Sequence, residues 1–148
     1  MNTGKLVGSL EAKLGTGLEF KNPDILPAPP GLHSHVVCVP NNADLVYLSG
    51  QVGITRDGYC PATIGEQADI IFANIVAALG ACDLSVFDIV KLSTFMVAGQ
   101  DGNEVRKARL KYLGEHRPAS TAIYVSRLVD PAWYVEVDVV AARIRAQN

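Results

Sequence analysis

Residues 134–144 read YVEVDVVAARI, and their alternation decides the architecture. Successive side chains of a strand point to opposite faces, so Val135, Val137, Val139 and Ala141 line one face while Tyr134, Glu136, Asp138, Val140 and Ala142 line the other. The first face is a core face. The second mixes carboxylates with apolar groups, and semi-apolar sheet surface of this kind marks an interface. Immediately upstream, ASTAIYVSRL (119–128) is rich in β-branched and aromatic residues and reads as another strand, with Tyr124 and Ser126 extending the semi-apolar surface. Pro131 in the intervening VDPAW suits a turn, so the two segments are expected to pair antiparallel.

Farther out, DIVKLSTFMV (88–97) is a third β-branched run. It follows an amphipathic helix predicted over 63–80, where Ile64, Ala68, Ile71, Ile75 and Leu79 recur at three-to-four spacing behind a Thr63/Glu66 capping box. A strand after such a helix is a candidate parallel crossover strand. A second helix is expected over 103–113, with Val105, Ala108 and Tyr112 on one stripe and Gly114 as its stop. HVVCV (35–39) and LVYLSGQVGI (45–54) flank the turn-rich PNNAD and are expected to form a hairpin. The order ββαβαββ predicts an α+β fold, a mixed sheet of about five or six strands with two main helices on one face. Its other face is left for a homo-oligomer that packs sheet against sheet.

Pro23, Pro27, Pro29, Pro30 and Gly31 crowd the stretch KNPDILPAPPGLHS (21–34), which neither a helix nor a central strand can traverse. Before it lies only a faint helical pattern, Val7, Leu10 and Leu14 with Gly15 as stop. Residues 1–30 are therefore expected to be an N-terminal arm and Pro-rich connector, and 31–148 a single domain. The chain has 148 residues, 49% of them apolar, with 13 Lys+Arg against 15 Asp+Glu for a net charge of −2. A domain of this size buries roughly two-thirds of its unfolded surface and needs no staple. Cys38, Cys60 and Cys82 form no C-x-x-C pair, which fits a reducing cytoplasm. No signal peptide or membrane anchor is read, and without a basic block nucleic acid is not an expected partner.

Few residues announce chemistry by themselves. Glu136 on a strand is ordinarily a solvated or interface carboxylate. His33 and His35 share a strand face, yet no third ligand accompanies them and no metal is expected. His116 reads as an exposed turn residue, Cys38 and Cys82 as buried small hydrophobes, and Cys60 as a partly exposed thiol without a base beside it. Arg106, Lys107, Arg109 and Lys111 are explained by the polar outer face of their helix. No G-x-G-x-x-G or P-loop pattern supports a nucleotide.

Taken together, YLSGQVG (47–53), DIVKLSTFMV (88–97), RPASTAIYVSRL (117–128) and YVEVDVVAA (134–142) resemble, in order and spacing, the Rid family of reactive-intermediate imine deaminases, also called YjgF-like. The likeness covers about residues 33–145. It implies a chorismate-mutase-like α+β fold assembled as a homotrimer, without metal or organic cofactor. Its pockets would lie between subunits and hydrolyse small 2-imino or enamino acids to 2-oxo acids and ammonia. By the same resemblance Glu136 would position the attacking water, His35 would stand for a family tyrosine, and Ser49 and Gly50 would line the pocket. The family's carboxylate-gripping arginine falls on Ser120, followed by Thr121, so Arg106 or Arg117 is expected to supply the missing charge. The resulting expectation is a cytoplasmic trimeric hydrolase of a small imine or enamine. The alternative is a non-catalytic trimer that binds a small ligand to sense a metabolite or support an enzyme partner. RNA cleavage, a label some family members carry, is disfavoured by the net acidity.

Overall fold

The computed structural model describes residues 17–146; the helical pattern at Val7, Leu10 and Leu14 lies outside them. Six strands and two α-helices follow in order: β1 (Glu19–Lys21), β2 (Val36–Cys38), β3 (Ala43–Val52), α1 (Ile64–Ala81), β4 (Ile89–Val97), α2 (Gly102–Leu113), β5 (Ala119–Val125) and β6 (Val135–Ile144). Thr63 caps α1 as its spacing to Glu66 predicts, its side chain accepting from the Glu66 amide. Gly114 ends α2 at φ 52°, a left-handed conformation that favours glycine.

The main sheet has four strands in the order β3-β6-β4-β5, with β6 antiparallel to both neighbours and β5 parallel to β4. The helix crossover β4-α2-β5 joins adjacent parallel strands, whereas the crossover expected through the 63–80 helix joins β3 and β4, which are not neighbours because β6 lies between them. Both hairpins expected from the sequence are absent. β5 does not pair with β6, and β2 pairs with β1 rather than β3. The physical reason is burial. Val135, Val137, Val139, Ala141 and Ala142 of β6 are all buried, which suits a central strand, whereas residues 121–124 of β5 are exposed, which suits an edge. Chain proximity yields to where apolar surface can be covered.

Both helices pack on one face of this mixed sheet, so the molecule has the expected α+β architecture. Ile64, Ala68, Ile71, Phe72, Ile75 and Leu79 of α1 and Val105, Ala108 and Leu113 of α2 join Leu92, Met96 and the odd-numbered valines of β6 in one core. By length and apolarity α1 alone, among the described helices, could cross a membrane, but its apolar face is occupied by this sheet. Asp69 ties α1 to α2 through Lys111 at 2.6 Å and Tyr112 at 3.2 Å. Gln67, fully buried, bonds the Pro61 and Ala132 carbonyls at 2.9 Å and the Tyr134 amide at 2.8 Å. A Cβ at Gly53 would stand 2.4 Å from that of Gln67, so glycine is required where β3 meets α1.

The opposite face is partly open, with Leu45 49%, Tyr47 72% and Ile123 44% exposed. Its make-up differs from expectation at two places. Tyr124 is in register with Met96 and so lies on the helix side, and Ala142 is fully buried beneath Leu18 and beside Val90. The β1-β2 ribbon covers that end, so the described part of the N-terminal arm is built into the fold. His116 is likewise buried rather than an exposed turn. It donates to the Ile89 carbonyl at 2.8 Å and meets Phe20 and Phe87 edge-on. The sequence offered the turn but not the two rings that close over it. Cys38 and Cys82 are half-buried, not core residues.

Candidate active site

Strand register separates the candidate residues onto two faces. On the open face Glu136 stands in a row with Val52, Phe95 and Ile123. The pairing of β3 with β6 is irregular between Leu48 and Gln51, which sets Ser49 and Gly50 in a local bulge. A Cβ on Gly50 would fall 2.0 Å from Glu136 Oε1, so the carboxylate lies directly on this glycine. Glycine is what lets a side chain rest against the backbone here. Among the described residues Glu136 has no ion-pair partner, and it is half-buried. Thr121 is on this same face, accepting from Lys91 at 2.8 Å.

Ser120 is on the other side. Its register partner is Leu92, a core residue, so its hydroxyl points toward α2 at the edge of the sheet. There a cavity of about 400 Å³ opens between the Pro30–His33 loop, α2, and Thr94, Met96, Ser120 and Ala122 of β4 and β5. Arg106 lines it from an exposed position. Arg117 does not. Its guanidinium caps the end of α2, donating to the Gly114 carbonyl at 2.6 Å and lying 3.6 Å from Glu115. His35 is also turned elsewhere, its Nε2 donating to the Pro27 carbonyl at 2.7 Å and its amide to Asn22 at 2.8 Å. It is His33, in edge contact with His35, that reaches the cavity, where burial lowers its pKa below the usual imidazole value.

The residue that sequence reading passed over is Arg109. Its Nη1 donates to Ser120 Oγ at 3.0 Å and its Nη2 to the Leu32 carbonyl. Burial, reinforced by Arg117 and Arg106, pushes its pKa down to about 10, so it remains a cation at neutral pH. A signal was present: Arg109 is one helical turn after Val105 and beside Ala108, on the flank of the buried stripe. Lys107 and Lys111, by contrast, project outward to Glu104 and Asp69.

Ser120 and Glu136 therefore cannot meet within one protomer, since the sheet stands between them. A site that used both would draw them from two copies of the chain.

Residues 26–143 match the family described as endoribonuclease L-PSP. The protein HMF1 of Saccharomyces cerevisiae is 30% identical over 69% of this chain and 78% of its own length. A 2-iminobutanoate/2-iminopropanoate deaminase of Escherichia coli is 29% identical over 68% of this chain and 80% of its own. Among solved structures, that of Escherichia coli TdcF with bound serine superposes with a TM-score of 0.63 at 25% identity, covering 84% of this chain and 98% of that one. With its two helices on one face of a mixed sheet and these matches along most of its length, the chain belongs to the endoribonuclease L-PSP family, the Rid proteins.

Proposed function

We propose that the protein hydrolyses a small imine or enamine, releasing ammonia, at a site shared by two subunits of a homotrimer. The observation that carries this is the Glu136 side chain, half-buried, without an ion-pair partner among the described residues and resting on Gly50 at the open face of the sheet. The deaminase named among its relatives supports the reaction class. The half-open sheet face supports the assembly, and the separation of Ser120 from Glu136 supports a shared cleft.

In the reaction, water adds to the carbon of a protonated C=N group. Glu136 accepts the proton that the water loses, a role suited to a half-buried carboxylate. The new C–O bond gives a tetrahedral carbinolamine. Its nitrogen takes that proton back from Glu136, the C–N bond breaks, and ammonia leaves as the remaining hydroxyl gives its proton to Glu136 and becomes a carbonyl; the proton then passes to the departing ammonia. Donors at the cleft wall, Ser49 on one face and the hydrogen-bonded pair of Arg109 and Ser120 on the other, stabilise the polar groups of this adduct, with Arg106 adding positive charge at the mouth. Thr121 and Lys91 lie at the rim of the open face. His35 and Arg117 are committed to backbone carbonyls and serve the scaffold instead.

Generating 2-imino acids enzymatically and following loss of the imine tests the proposal. Wild type is expected to accelerate the loss and Glu136→Gln to slow it about 100-fold or more, with unchanged oligomer mass. Full activity in the Gln variant overturns the mechanism. A wild type that binds ligand without turnover favours the binding-module reading.

A further inference from the structure

Arg109 is a half-buried cation without a carboxylate partner among the described residues, and it lines a cavity. Enclosing a guanidinium without a counter-charge is unfavourable, and two further guanidiniums, Arg106 and Arg117, raise the cost. Its Nε is sealed from solvent and bonded to nothing. Buried donors left unpaired are rare in folded proteins and call for a reason. Of its five N–H groups, one goes to Ser120 and one to Leu32, which leaves each terminal nitrogen one N–H to give. Two parallel donors of this kind match the two oxygens of a carboxylate. The rest of the cavity is mainly apolar, with Met96, Val105 and Ala122 facing it, and its volume of about 400 Å³ admits only a small molecule.

We propose that this cavity captures a short aliphatic carboxylic acid, with Arg109 of α2 holding the carboxylate and Ser120 holding Arg109. Ser120 is thus a positioning residue, and the anion anchor is on the helix rather than on β5. Arg106, exposed at the mouth, attracts the anion without gripping it. The proposal rests on the hydrolase reading for the chemistry that follows capture, whereas capture itself stands on the cavity.

Calorimetric titration separates the two. The probes are 2-oxobutanoate, its methyl ester with the same shape and no charge, and inorganic phosphate. Wild type is expected to bind the acid about tenfold or more tightly than the ester or phosphate. Arg109→Met is expected to lose that preference, Arg109→Lys to keep part of it, and Arg106→Gln to weaken binding only a few-fold. Equal binding of acid and ester by wild type overturns the proposal without requiring any variant to fold. Tighter binding of phosphate, or undiminished binding by a folded Arg109→Met, overturns it too. Acid binding through Arg109 without imine turnover supports the capture site and defeats only the hydrolase. Imine turnover with unchanged KM in Arg109→Met does the reverse.

Discussion

The two faces of the sheet treat their charged residues in opposite ways. On the helix side, Arg109 is enclosed, bonded to Ser120 and Leu32, and set against a walled cavity. On the open side, Glu136 is half-buried and rests on Gly50 in the β3 bulge, without an ion-pair partner among the described residues. One half is a cavity with a cation in its wall and the other a carboxylate on an open sheet face. Under the proposed function the two halves would be completed by a copy of the chain, each subunit lending its carboxylate to a neighbour's cavity.

Mixing two dead variants tests this most severely. Glu136→Gln keeps Arg109, and Arg109→Met keeps Glu136. Co-refolded in equal amounts, they form clefts that draw one intact residue from each subunit. Random assembly leaves about a quarter of shared clefts with both groups, so imine hydrolysis should rise from background to roughly that fraction of wild type. Recovery absent in mixed oligomers of verified mass would mean that no cleft draws one group from each subunit.

Gly50→Ala sharpens the open half alone. A methyl group there would stand 2.0 Å from Glu136 Oε1 and 2.9 Å from its Cδ, so the carboxylate must swing aside. The cavity on the far side is untouched. We expect kcat to fall about tenfold, as for a misplaced general base, while the affinity for 2-oxobutanoate is unchanged. A parallel loss of affinity would mean that the faces are coupled through the bulge.

How far the sequence speaks for each half follows from the same physics. Helix period, capping at Thr63 and Gly114, and alternation in β6 are local patterns, and each element they predict is present. Pairing order is not local. It depends on how much apolar surface each strand must hide, and β6, with its core-facing row and Ala142 buried, takes a central place and displaces the hairpins that proximity suggests. By itself Glu136 reads as a solvated or interface carboxylate, and it stands out only through the likeness of its strand to the Rid family. Arg109 does not, because a cation on a helix with three basic neighbours looks like solvent surface until the Pro30–His33 loop closes over it. His116 is hidden for a similar reason, its cover coming from Phe20 and Phe87, far away in the chain.

The smallest expected effect is on stability, and its sign distinguishes a binding residue from a structural one. Arg109 is pushed down to about 10 in the folded chain, well below a free guanidinium, so the unfolded state holds this proton more tightly. The charge therefore disfavours folding fully below pH 10, and the penalty fades as pH rises above 10. Partial exposure screens it to on the order of 1 kcal/mol. Methionine at 109 lacks the penalty, although it also forgoes the bonds to Ser120 and Leu32. The offset between the two proteins thus has no fixed sign, but its slope does. The melting temperature of Arg109→Met minus that of wild type should be larger at pH 8 than at pH 10.5. Adding 2-oxobutanoate at about ten times its Kd should stabilise wild type by about 1.4 kcal/mol and leave the variant unmoved. A difference that grows with pH would mean that Arg109 is held in place by its own fold, with no ligand needed to complete it.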